Sequence, residues 1–207
     1  MEKTLFKIDS QGKYCKFPGI TIVSAFLPKD ERLWKQVYDE LDQCQLLKEY
    51  YSPLPFESYH MTTNDIYTEA RDGGSDWKGF ITKDMERWQR LFKVLNEKAF
   101  NPEITIEDLV VQGVVLFELK LNEEQHSIIK SVAEEFNISH KIPPVFHITL
   151  GYKYKAAEET VMNEIKKQLE STLTCLGKKF TLDVPKLCYF NDMTAFIPWD
   201  AEEYPFE

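Results

Sequence analysis

Pro143-Pro144-Val145-Phe146-His147-Ile148-Thr149-Leu150-Gly151-Tyr152 is the stretch around which the rest of the chain can be read. It is β-rich and two prolines introduce it. Side chains alternate between the faces of a strand, so Phe146, Ile148 and Leu150 share one face and His147, Thr149 and Gly151 the other. The apolar face is expected to pack on helices, and the His–Thr face to look away from the core. A second stretch, Tyr59-His60-Met61-Thr62, repeats the pattern in a strand expected near Glu57–Asp65. There His60, Thr62 and Asn64 face one way, and Tyr59 and Met61 the other. The other two histidines, His126 and His140, carry Ile128 and Ile142 at the corresponding position.

The elements on either side of these strands fall into two similar orders. In the first half, Ile20–Phe26 is a strand, bounded by Gly19 and Pro28. A helix follows over Asp30–Leu47, with Leu33, Trp34, Val37, Tyr38 and Leu41 on one face. After the His60 strand comes a Gly- and Asp-rich loop, Ala70–Gly79. A helix over Thr82–Ala99 has Met85, Trp88, Phe92 and Leu95 on one stripe, and a short strand occupies Ile104–Ile106. In the second half, Gln112–Leu121 is a strand, and Asn122 with Gln125 caps a helix that buries Ile128, Ile129, Val132 and Phe136. The His147 strand is followed by a helix over Glu158–Leu173. Strands at Phe180–Val184, Lys186–Phe190 and Thr194–Ile197 complete the half. The expectation is an α+β, bilobal, duplicated fold: two antiparallel sheets flanked by helices around a central cleft. Residues 1–207 form one domain, with halves at about 19–110 and 111–199 and an N-terminal arm over 1–18. A pseudo-twofold axis between the halves would bring the two His–Thr faces together.

Composition narrows the partners. The chain has 207 residues, 43% hydrophobic and 14% aromatic, enough to build a packed core. Its formal net charge of −9 repels a long polyanion, so no long nucleic acid is expected as a ligand. A small phosphate-bearing ligand in a local basic pocket is allowed. No apolar run approaches the ~20 residues of a membrane helix, and charges interrupt the N-terminus where a signal segment would be apolar. Cys15, Cys44, Cys175 and Cys188 form no CxxC pair and fit a reduced, cytoplasmic protein. A monomer with no membrane partner is expected.

Two opposed imidazoles suit proton transfer on both sides of a phosphodiester. With an ordinary pKa of ~6.5, one can take a proton from the attacking oxygen while the other gives one to the leaving oxygen. The hydroxyls of Thr62 and Thr149 can donate to non-bridging phosphate oxygens. Two His-X-Thr motifs, 87 residues apart on equivalent strands, resemble the two-histidine (2H) phosphoesterase superfamily, whose pattern is His, apolar, Thr or Ser, apolar. His147-Ile148-Thr149-Leu150 matches throughout, whereas His60-Met61-Thr62-Thr63 has Thr63 at the last position. The resemblance covers about residues 19–199 in element order and is specific at the two motifs. It implies a bilobal α+β fold and a metal-independent attack on a phosphodiester, with His60, His147, Thr62 and Thr149 as catalytic residues and no cofactor. The substrates it implies are small ribonucleotides: 2′,3′-cyclic phosphates, 2′-5′ or 3′-5′ linked oligonucleotides, or cyclic nucleotide signals.

Further substrate contacts are sought among Tyr67, Tyr152 and Tyr154, which follow the motifs and could stack on a base. Ordinary packing is the competing role for each. The loop Arg71-Asp72-Gly73-Gly74-Ser75-Asp76-Trp77-Lys78-Gly79 has the composition of a lid, with Arg71 and Trp77 as binding residues; a plain connection with Trp77 on the surface is the alternative. His60, His147 and Asp65 could in principle form a two-His-one-carboxylate metal site, but neither His–Thr face carries a ligand-spaced carboxylate, so no metal is expected. A module that binds a nucleotide without turning it over is the remaining alternative. A second proton-transfer group would be superfluous in it.

Overall fold

The computed structural model describes residues 7–74, 76–173 and 177–206. The strands are β1 (Gly19–Ala25), β2 (Tyr51–Pro53), β3 (His60–Thr68), β4 (Glu103–Val111), β5 (Val114–Leu121), β6 (Phe146–Lys153), β7 (Lys179–Thr181), β8 (Lys186–Phe190) and β9 (Ile197–Pro198). The helices are α1 (Glu31–Gln43), α2 (Gln45–Lys48), α3 (Trp77–Thr82), α4 (Met85–Glu97), α5 (Glu123–Glu135) and α6 (Glu159–Thr172). The α+β class is as expected, and every strand pairing is antiparallel.

The two expected sheets are one. The order is β7-β4-β5-β6-β3-β1-β8-β9, with β2 added beside β6. The junction is a single pair, Met61 of β3 opposite Ile148 of β6. Both side chains are essentially fully buried. Because they face the same core, the motif strands lie edge to edge and do not belong to separate layers. The sheet also curls. Phe26, just past β1, bridges Leu182, just past β7, although those strands stand far apart in the order.

The spatial halves differ from the halves of the sequence. β4 belongs to the first half of the chain but pairs with β5, while β8 and β9 pair onto β1. The division near residue 110 therefore cuts between two neighbouring strands, because each half gives its last strand or strands to the other. Two apolar clusters back the sheet. One gathers Trp34, Val37 and Leu41 of α1 and Ile165 and Leu169 of α6 against β4, β5 and β6. The other gathers Trp88, Leu91 and Leu95 of α4 and Val132 and Phe136 of α5 against Ile20, Ile22, Ile66 and Leu187.

Several boundaries move for local reasons. The helix expected over 30–47 breaks at Cys44, whose backbone is extended, into α1 and α2. The strand expected at 57–65 begins at His60, because Phe56–Ser58 form a 3-10 turn. The loop over 70–79 instead contains a π-turn at Glu69–Gly73 and the start of α3, where Asp76 caps the Gly79 amide at 2.9 Å. The last strand is two residues, since Asp192 holds Thr194 in a turn. The cap on α5 is as read, with the Asn122 side chain accepting from the Gln125 amide at 2.8 Å. The arm is packed from Lys7 onward: Ile8 is fully buried and bridges Tyr14. Cys15, Cys44 and Cys188 are free thiols, and Cys175 lies outside the described residues.

Candidate active site

The antiparallel register through Met61↔Ile148 sets His60 across from Thr149, and Thr62 across from His147. Directly opposed residues point to the same face. Met61 and Ile148 point to the core, so the two histidines and two threonines share the other face, related by a local twofold axis through that pair. The ladder between β3 and β6 is that one pair, and the strands part on either side of it. All four side chains are partly buried.

The same backbone irregularity follows both motifs. Along β1–β3 the register shifts between Val23↔Thr62 and Ile22↔Asn64, leaving Thr63 as an extra residue. Along β5–β6 it shifts between Leu116↔Thr149 and Val115↔Gly151, leaving Leu150 extra. A bulge turns the chain over by one residue. Consequently Asn64 and Gly151, expected beside the histidines, face the core side, and Tyr152 joins the face of Thr149. Thr63 is buried and donates to the Ile22 carbonyl at 3.3 Å, which satisfies a hydroxyl at the position where the family pattern has an apolar side chain.

Each imidazole is fixed in the same way. Nδ1 of His60 donates to the Ser58 carbonyl at 2.6 Å, and Nδ1 of His147 to the Val145 carbonyl at 2.9 Å. A carbonyl only accepts, so Nδ1 carries the proton in both rings and Nε2 is the nitrogen left for chemistry. The His60 ring lies against Phe196, with centroids 3.9 Å apart. Burial pushes the His60 pKa down to about 4; the Ser58 hydrogen bond opposes this, and the charges of His147 and Lys7 add to it. His60 is thus neutral at pH 7 and can act as a base. Among the described residues no hydrogen bond engages the hydroxyl of Thr62 or Thr149, so both are available to a ligand.

Three further groups border the face, and none of them carries a motif. Lys7 Nζ donates to the Tyr152 hydroxyl at 3.2 Å, and that hydroxyl donates in turn to Met193 Sδ at 3.5 Å. Phe196 comes from the turn before β9. Glu118 of β5 stands opposite His147 in register. A period-two pattern in the sequence locates Glu118 only once the β5–β6 register is known.

The remaining expected ligand contacts are dispersed. The Arg71 guanidinium is held by both oxygens of Asp65 at 2.8 and 2.9 Å and by Thr68 at 2.9 Å, and its fork is filled. Trp77 is buried in the second cluster, stacked on Phe80, and is neither a surface nor a lid residue. Tyr67 packs edge-on against Phe80 and Trp88. Tyr154 donates to the Lys48 carbonyl at 2.7 Å. Of the five aromatic and cationic candidates, Tyr152 alone is placed at the His–Thr face. Asp65 is tied to Arg71, and among the described residues no group of three or more His, Cys, Asp or Glu side chains could hold a metal ion. A cavity of about 530 Å³, lined in part by Lys29, Lys120, Lys179, Asp30 and Glu103, does not include the histidines. No helix among the described residues is long and apolar enough to cross a membrane.

Comparison with known proteins gives several similar chains. Uncharacterized protein 127L of Invertebrate iridescent virus 6 is 25% identical over 224 residues, spanning 94% of each chain. A conserved protein of unknown function from Agrobacterium tumefaciens has a similar crystal structure, with a TM-score of 0.62 and 19% identity over 93% of this chain and 89% of that one. Usb1 of Kluyveromyces marxianus aligns over 89% of this chain and 98% of its own, at 10% identity and a TM-score of 0.47. The family model described as 2H-phosphodiest, domain of unknown function (DUF1868), matches residues 7–112, just over half of the chain, with His60 inside the match. The chain belongs to the 2H-phosphodiesterase family.

Proposed function

We propose that this protein is a metal-independent phosphodiesterase acting on small ribonucleotide substrates. The observation that carries the reading is the twofold set His60, Thr62, His147 and Thr149, each histidine locked by a carbonyl so that Nε2 is free. Membership of the family supports phosphodiester chemistry. His60, neutral above about pH 4, is the base, and His147 is the acid. In a 3′-5′ linked substrate the 2′-hydroxyl loses its proton to His60 Nε2 and its oxygen bonds to phosphorus. The P–O bond to the leaving oxygen breaks, and His147 supplies the proton to that oxygen. The charge that builds on the non-bridging oxygens is met by the Thr62 and Thr149 hydroxyls. An anionic phosphodiester next to His60 favours the imidazolium that forms there, so the site gains basicity when substrate is bound.

A 2′-oxygen is the expected nucleophile because, among the described residues, no Ser or Cys adjoins either histidine on its face. An oxygen already tethered beside phosphorus carries an effective-molarity advantage worth up to ~7–11 kcal/mol. The test uses 3′-5′ linked oligonucleotides that carry either ribose or 2′-deoxyribose beside the scissile phosphate, with products separated by chromatography. The ribo substrate is turned over, while the deoxy analogue binds and inhibits. Comparable cleavage of the deoxy analogue would show that water attacks directly.

A further inference from the structure

We propose that Lys7 is a phosphate-binding residue of this site, its ammonium holding a non-bridging oxygen of the substrate. The proposal rests on the phosphodiesterase reading above and extends it to the N-terminal arm.

Lys7 is held in place by its neighbours in the arm. Ile8 is fully buried and bridges Tyr14, the Cys15 amide donates to the Lys7 carbonyl at 3.0 Å, and the Phe17 amide donates to the Asn191 carbonyl at 2.8 Å. The Lys7 Nζ sits 5.3 Å from the Phe17 ring centroid and 5.1 Å from that of Tyr152. The bulge at Leu150 puts Tyr152 on the same face as Thr149, so the ammonium stands at the edge of the His–Thr set. Its field reaches His60 and disfavours protonation there.

Partial burial of an ammonium with no carboxylate beside it is what points to an anionic ligand. Cations such as Lys13, Lys16 and Lys155, for which no carboxylate among the described residues lies within 4 Å, are exposed, whereas the partly buried Arg87, Lys98, Lys141 and Lys166 each have a carboxylate within 4 Å. Among the described residues Lys7 has none, although acids outnumber bases 34 to 25 in the chain. The Tyr152 hydroxyl accepts one of its N–H groups without neutralising it. The ring faces of Phe17 and Tyr152 and one hydroxyl compensate the ammonium in part, and none of them carries a negative charge. Two N–H groups remain free to point at that anion. The phosphodiester that the two threonines and His60 would bind is an anion of suitable chemistry and position.

The test compares Lys7→Met, Lys7→Arg and Lys16→Met with the wild type. Methionine keeps an apolar stem against Phe17 and Tyr152, and Lys16→Met removes the same net charge from an exposed position on the same arm. One readout is steady-state turnover. The other is NMR titration of the His60 imidazole, with and without inorganic phosphate. Lys7→Met should lower kcat/KM by ~10²-fold, the scale of losing one donor to a developing oxyanion. Lys7→Arg should recover most of that, and Lys16→Met should match the wild type. In Lys7→Met the His60 midpoint should rise, since a repelling cation is gone, and inorganic phosphate should bind ~10-fold more weakly. The His60 shift checks where the charge sits, and a lysine that does not hold the anion would leave phosphate affinity unchanged. Wild-type phosphate affinity in Lys7→Met would overturn the proposal whatever the turnover. If the wild type turns over no phosphodiester, the proposed function fails, and the phosphate titration still decides the role of Lys7.

Discussion

The buried imidazole of His60 makes stability fall with pH in a window that can be stated in advance. Its ordinary pKa is 6.5, and in the folded protein burial, with the charges of His147 and Lys7, takes it down to about 4. Below pH 6.5 the unfolded chain therefore binds a proton that the native state refuses. Native stability drops as pH falls through that range and levels off below about 4. Between pH 7 and pH 5 the difference in proton uptake amounts to about 2 kcal/mol, a sizeable share of the 5–15 kcal/mol typical of a domain. The perturbation is His60→Asn, which removes the titration but keeps an amide that can donate to the Ser58 carbonyl. Urea unfolding of both proteins is measured at pH 7 and pH 5 in a buffer free of phosphate, because a bound anion would favour the charged ring. His126, also pushed down by burial and by Lys130, titrates in both proteins and cancels in the difference, as do the carboxylates. The wild type should lose about 2 kcal/mol more than the variant over this interval. Parallel losses would refute the reasoning, since His60 would then be as easily protonated folded as unfolded.

Two further outcomes follow from the same geometry. His60→Ala and His147→Ala should each lose ~10²–10⁴-fold in turnover, and the double variant far less than the product, because the pair acts as a unit; full activity in either single variant would remove the assignment. Ile148→Ala empties a fully buried site at the pair that joins β3 to β6 and should lose about 2–5 kcal/mol in urea unfolding. Turnover measured at a temperature where the variant is folded should also fall, as the four groups lose their register.

What the sequence determined by itself is what depends on short-range geometry. Alternation along a strand put His60 with Thr62 and His147 with Thr149, each opposed by buried Met61 or Ile148, without reference to any other element. The Asn122 cap and the buried stripes of α1, α4, α5 and α6 are of the same kind, because a period of 3.6 or 2 repeats within a few residues. Placement of the pairs in one site was an expectation from the repeated motif, and the Met61↔Ile148 register supplies the contact. The rest depended on partners distant in the chain. Leu150 and Thr63 are extra residues because of the strands that β6 and β3 meet, and those bulges move Tyr152 to the His–Thr face and Asn64 away from it. Arg71 reads as a free cation until Asp65 fills its fork, and Trp77 reads as a lid residue until Phe80 and Phe206 cover it. The Met61↔Ile148 pair fuses the two expected sheets into one, and β4, β8 and β9 are exchanged between the halves, because strand partners lie far apart in the chain. Lys7 carries no motif and lies 53 residues before His60; it reaches the site only because Ile8 packs into the core. Side-chain alternation is set by the backbone one residue at a time, whereas strand partners, bulges and counter-ions are set by which distant surfaces are buried together, and that only the folded chain decides.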